Sequence, residues 1–82
     1  MRATVLVRPK AGILDPQGRA VESSLRQLGF RVGDARVGRV VDLEIDAPDA
    51  AAARAELERM CDRLLANPLI ESYEIEVEAE ST

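Results

Sequence analysis

The sequence predicts an α+β domain in which two helices cover one face of an antiparallel sheet. Three observations carry that expectation. Apolar runs with strand character recur near the start, middle and end of the 82 residues; two stretches of helical periodicity separate them; and each helical stretch is bracketed by capping and stopping residues.

"ATVLVR", residues 3–8, is a short apolar, β-branched run halted by Pro9, the pattern of a central strand covered on both faces. Asp15 then precedes Pro16, a carboxylate N-cap before a proline whose missing N–H costs nothing at the first helical position. Val21, Leu25 and Leu28 form one apolar stripe, and Gly29 stands where a helix turns out, so the first helix is expected over residues 16–28. "FRVGDARVGRVVDLEIDA", residues 30–47, predicts two strands, with Gly38 at the hairpin turn and a bulge or bend at Gly33-Asp34. In the second of these, Val41, Leu43 and Ile45 alternate with Asp42, Glu44 and Asp46, the period of a sheet with one wet face.

The second helix is expected from Pro48 to about Ala66, with Ala53, Leu57, Met60, Cys61, Leu64 and Leu65 on its apolar face and Asn67-Pro68 ending it. "IESYEIEVEAE", residues 70–80, closes the chain as a strand with Tyr73, Ile75 and Val77 inward and Glu74, Glu76 and Glu78 outward. The resulting order is β-α-β-β-α-β, a ferredoxin-like or related sandwich, with right-handed crossovers between parallel pairs. No repeat and no linker divides residues 1–82, which are expected to form a single domain.

A chain this short buries only about 60–65% of its unfolded surface. It has no Trp, one Phe30 and one Tyr73, so its core is thin, and with a single Cys61 and no His neither a disulfide nor a metal can staple it. Oligomerisation is the remaining support. The net charge of −4 argues against nucleic acid. Residues 1–41 carry eight basic and three acidic side chains and residues 42–82 three and twelve, an asymmetry that either steers partners or reflects two solvated faces. No apolar run is long enough for a membrane span and the start lacks the apolar core of a signal peptide, so a cytoplasmic location without membrane contact is expected.

A search for chemistry finds little. Without His, the commonest general base and metal ligand is missing. Cys61 falls in the apolar stripe of the second helix and reads as a packing residue. Glu74, Glu76 and Glu78 alternate on one strand about 7 Å apart, too far to share a small cation without further ligands. Gly12 and Gly18, with Lys10 and Arg19, suggest an anion cradle at a helix start, but the stretch is neither G-x-G-x-x-G nor a P-loop, and Asp15 would repel phosphate. No catalytic residue, cofactor site or metal site is therefore expected in this chain.

"RPKAGILDPQGRAVESSLRQLGF", residues 8–30, and "CDRLLANPLIESYEIE", residues 61–76, resemble the PurS family, the small subunits of phosphoribosylformylglycinamidine synthase. The most specific stretches are Pro9 through Ala20 and Leu64 through Tyr73, and the similarity spans nearly the whole chain. The resemblance implies an accessory subunit in purine biosynthesis that joins a synthetase subunit (PurL) to a glutaminase subunit (PurQ) and assists ammonia transfer. It also implies that the complex, not this chain, uses ATP and Mg with glutamine as substrate, and that the chain forms a homodimer or larger homo-oligomer. The implied partner interface is the junction after the first strand: Pro9, Lys10, Ile13, Leu14, Asp15, Pro16, Gln17 and Arg19. There Ile13 and Leu14 would be apolar anchors and Lys10 and Arg19 rim contacts, although Ile13 and Leu14 would serve equally to cap the protein's own core. The competing readings are a regulatory module that binds a small ligand between ferredoxin-like subunits, and a small phosphatase. The first normally rides on a catalytic domain for which these residues leave no room; the second needs an Arg and an Asn at an anion loop, whereas Asn67 lies far along the chain.

Overall fold

The computed structural model describes residues 1–13 and 15–78; Leu14 and the end of the predicted last strand, residues 79–80, lie outside the described residues. The elements are β1 (Arg2–Pro9), α1 (Pro16–Gln27), β2 (Arg39–Glu44), α2 (Ala50–Met60), a π-helical turn (Cys61–Leu65) and β3 (Glu71–Glu78). They form a three-stranded antiparallel sheet ordered β2-β1-β3, so the α+β class and the antiparallel sheet are as expected.

The register sets the core face. Ala3 lies between Leu43 and Val77, Val5 between Val41 and Ile75, and Val7 between Arg39 and Tyr73. Ala3, Val5 and Val7 are buried, and the inward residues of β2 and β3 pack half-buried beside them. Over this face lies α2, capped by Asp49, whose carboxylate accepts from the Ala52 N–H at 2.8 Å. Its stripe Ala53, Leu57 and Cys61 is fully buried. Arg54 donates to the Ile75 carbonyl at 3.1 Å and ties the helix to β3.

Four details differ from the sequence expectation. The predicted strand over 30–37 does not form, and the order is β-α-β-α-β with no parallel pair among the described residues. Side chains satisfy that backbone instead: Arg26 donates to the Val32 and Gly33 carbonyls at 3.0 and 3.1 Å, and Asp15 accepts from the Val37 N–H at 2.9 Å. Gly38 is no hairpin turn. A Cβ there would meet the Val7 carbonyl oxygen at 2.1 Å, so only glycine lets the chain run this close to β1. Strand β1 is central but covered on one face only; Leu6 and Thr4 face the side lined by Val40, Asp42, Glu74 and Glu76. Finally, Met60 and Leu64 are exposed instead of inward. The π turn, closed by Ala66 N–H donating to the Cys61 carbonyl at 3.0 Å, adds a residue to the last turn and rotates Leu64 outward while Ala66 takes the buried position.

Helix α1 ends in a Schellman motif: Phe30 N–H donates to the Leu25 carbonyl and Gly29 N–H to the Arg26 carbonyl, both at 3.0 Å, with Gly29 at φ +96°. Its N-terminal start agrees with the prediction to the residue. Its apolar stripe, however, is largely uncovered: of its residues only Gly18 is buried, and Leu28 is 74% exposed. The molecule measures 50 × 30 × 14 Å with a radius of gyration of 16.1 Å, where a compact chain of this length gives about 12 Å. Among the described residues no helix is long and apolar enough to cross a membrane.

Leu57 is the largest fully buried side chain among the described residues. Leu57→Ala is expected to destabilise the fold by ~2–5 kcal/mol, read as a lowered urea midpoint at fixed protein concentration.

Candidate functional site

The junction after β1 is built by short-range chemistry. Ile13 N–H donates to the Lys10 carbonyl at 3.2 Å and Gly12 has φ +83°, a tight turn with glycine at the position that requires the left-handed region. Lys10 N–H donates to the Ile70 carbonyl at 2.9 Å, which anchors the turn to the start of β3. Asp15 comes next. Its carboxylate accepts from Gly18 N–H at 3.0 Å as the N-cap of α1 and from Val37 N–H at 2.9 Å across the loop, while Pro16 occupies the first helical position. Those two amides, Val37's foremost, hold the Asp15 carboxyl below its ordinary range. Gly18 lies under the returning chain, where a Cβ would meet the Ala35 carbonyl oxygen and Asp15 Oδ2, each at 2.4 Å.

This geometry answers the anion-cradle suggestion. The Gly18 N–H that would meet a phosphate donates to Asp15, and the glycine is buried beneath Ala35. Its role is close packing of helix on loop.

Opposite the junction, Arg39 from β2 reaches Glu71 of β3 through two hydrogen bonds of 2.7 and 3.0 Å and also donates to the Leu65 carbonyl. Glu71 Oε1 accepts in addition from Asn67 N–H at 2.7 Å. Each charge of the pair stabilises the other, so Glu71 is held below the usual carboxylate range and Arg39 is raised. Between this pair and the junction lies a groove of about 240 Å³ lined by Pro9, Ile13, Asp15, Gln17 and Ile70, with Arg39 and Glu71 also in its wall. Pro9, Ile13 and Asp15 also line a second groove, of about 400 Å³, that includes Arg19 and Arg36.

Of the predicted interface residues, Pro9, Ile13, Asp15 and Gln17 therefore share one groove, Arg19 lies in the next, Lys10 sits in the turn, and Pro16 is exposed at the helix start. Leu14 is outside the described residues. Sequence reasoning missed Leu69, Ile70, Arg39 and Glu71 as members of this region. The signal for the first two was the "LLANPLIESY" stretch, which lies beside the junction in space although about 55 residues away in sequence. Asn67 caps its own turn, accepting from Leu69 N–H at 3.1 Å.

Catalytic chemistry has few carriers here. Cys61 is fully buried, and burial first, then the Asp62 and Glu58 carboxylates, pushes its thiol above the ordinary range. Among the described residues no three His, Cys, Asp or Glu side chains are grouped to hold a metal ion, and Glu74 pairs with Arg8 at 3.2 Å.

The family model described as "PurS: Phosphoribosylformylglycinamidine (FGAM) synthase" matches residues 2–79. The PurS subunit of Synechocystis is 47% identical over 79 residues, covering 95% of this chain and 77% of that protein. The crystal structure of PurS from Methanocaldococcus jannaschii superposes with a TM-score of 0.86 at 37% identity, over 98% of each chain. A chain in the structure of PurLQS from Thermotoga maritima matches with a TM-score of 0.84 at 30% identity, over 92% of this chain and 93% of that one.

Asp15→Ala is expected to speed hydrogen exchange at the Gly18 and Val37 amides while the β1 and β3 amides stay protected. Because the folded carboxyl titrates below its unfolded value of about 3.9, its stabilisation is complete above that pH and is lost as pH falls through the lower, folded value. The same two amides should therefore open first on acidification, and amide exchange followed by NMR or mass spectrometry reads both effects.

Proposed function

Because the chain belongs to the PurS family and is an accessory subunit of phosphoribosylformylglycinamidine synthase, a ligase of purine biosynthesis, we propose that it is the spacer that fixes the synthetase and glutaminase subunits side by side. The observation that carries this reading is the match, over nine-tenths of the chain, to a chain of the PurLQS assembly of T. maritima. Ammonia released from glutamine is protonated at neutral pH and diffuses away. Holding the glutaminase against the synthetase converts escape into transfer at high effective concentration, which needs fixed geometry and no reactive group in the spacer. ATP, Mg and glutamine are handled by the larger subunits in the cytoplasm. The junction residues Pro9, Lys10, Ile13, Leu14, Asp15, Pro16, Gln17 and Arg19 form the docking loop, whose described residues are ordered beforehand by the Gly12 turn and the Asp15 cap.

The spacer acts as a homodimer or larger homo-oligomer. The stripe of α1 and the following Phe30, 60% exposed, are left without cover in one copy. A groove of about 610 Å³ between β2 and the end of α2, lined by Leu43, Met60, Leu64 and Leu65, is equally uncovered. Apolar surfaces of this kind on a chain with so small a core are covered by a second copy.

Two measurements test these statements. In a mixture of synthetase and glutaminase, adding this chain should raise glutamine-dependent ligation strongly and ammonia-dependent ligation little; equal effects on both would overturn the spacer role. Val21→Glu combined with Leu28→Glu should lower the mass seen by sedimentation toward that of one chain, and an unchanged mass would remove α1 from the contact.

A further inference from the structure

The turn that leads into β3 is ordered, apolar and exposed at once. Asn67 accepts through its side chain from Leu69 N–H at 3.1 Å and through its carbonyl from Ile70 and Glu71 N–H at 3.1 and 2.8 Å. Its own N–H donates to Glu71 at 2.7 Å, and Pro68 fixes one more dihedral. What this locked turn presents to water is Leu69, 82% exposed, followed by Ile70, 44% exposed. Turns at a surface ordinarily carry polar residues. The turn's hydrogen bonds fix the backbone that carries this large aliphatic side chain, so the cost of ordering that backbone is met before any partner arrives, a property of a binding anchor.

Beside the turn lies the 240 Å³ groove between Ile13 and Ile70. Its Arg39 and Glu71 neutralise each other through two hydrogen bonds and the Asp15 carboxylate is taken up by two amides, so the apolar wall of Pro9, Ile13 and Ile70 suits an apolar side chain. The rim is different. Lys10 and Arg19 are exposed and form no ion pair among the described residues, whereas the nearby carboxylates are engaged: Asp15 with two amides, Glu22 with Arg26, Asp34 with Arg36 and Glu71 with Arg39. The five cations Lys10, Arg19, Arg26, Arg36 and Arg39 face the four carboxylates Asp15, Glu22, Asp34 and Glu71, so this rim of a chain of net charge −4 carries one excess positive charge, with Lys10 and Arg19 its outward cations.

We propose that the Leu69-Ile70 turn and the Ile13 groove form one docking surface for a segment of a partner subunit that presents an aliphatic or aromatic side chain flanked by carboxylates. The inference rests on the docking role given above and adds to it the half of the interface contributed by residues 67–71, together with the chemistry of the occupant.

The test mixes wild-type and variant chains with the synthetase and glutaminase and measures binding by co-elution and titration, alongside thermal unfolding and the sedimentation mass of each variant alone. Leu69→Asp with Ile70→Asp should keep fold and self-association but bind the partners ~10-fold or more weakly, the loss a central anchor brings. Lys10→Glu with Arg19→Glu should weaken binding mainly at low salt, and the difference from wild type should shrink as salt rises. If the aspartate pair unfolds the chain, Leu69→Ser, which leaves the turn's hydrogen bonds in place, must show the same loss. Wild-type affinity in the Leu69 variants, loss of self-association in place of partner binding, or salt-independent effects of the charge reversals would each overturn the proposal. A wild-type chain that fails to bind either subunit would instead overturn the docking role itself.

Discussion

The carboxylate of Glu71 is the point on which the proposed docking end of this molecule depends. It takes both forks of the Arg39 guanidinium and the N–H of Asn67, while Arg39 also donates to the Leu65 carbonyl. An edge strand, the end of the helical layer and the turn before β3 thereby converge on one group. Exposed ion pairs contribute little as a rule, but this one is bidentate and the Glu71 side chain is 18% exposed, so its geometry is fixed. The groove between Ile13 and Ile70, the ordered Leu69 turn and the outward rotation of Leu64 all lie within a few residues of it.

The same economy governs the rest of the fold. One helix covers one face of three strands, and among the described residues only Leu57, Val5, Val7 and Cys61 are large and fully enclosed. A layer this thin leaves other apolar surface unpaired: the stripe of α1, the groove beside Met60, and the Leu69 turn. Asp15 makes that openness possible. By bonding Val37 as well as Gly18 it holds the returning chain against α1.

Order in this chain is concentrated at surfaces and not around a reactive centre. Its one thiol is enclosed and shifted away from reactivity, its helix start is occupied by its own carboxylate, and the strongest charged contacts on the described residues, such as Arg39 with Glu71 and Arg26 with Glu22, are internal. Such an inventory suits an accessory subunit of the ligase and agrees with the spacer role proposed above, which asks for shape, anchors and a fixed separation between them.

Local chemistry made much of this legible in advance. Asp15-Pro16 fixed where α1 begins, Gly29 where it ends, and the alternation of Val41, Leu43 and Ile45 with acidic residues fixed the inward face of β2, because capping and period-two burial are decided by neighbours in the chain. What lay beyond the sequence were facts that depend on distant groups. The run 30–37 has strand composition, yet Arg26 and Asp15 satisfy its backbone from α1 and no neighbouring strand is offered. The stripe of α1 predicts burial but not against which surface, since periodicity specifies a face and not its partner. Only the tertiary structure brought Ile70 beside Ile13, through the pairing of Pro9 with Glu71 at the end of the β1–β3 ladder, because strand register is set by the packing of the whole sheet.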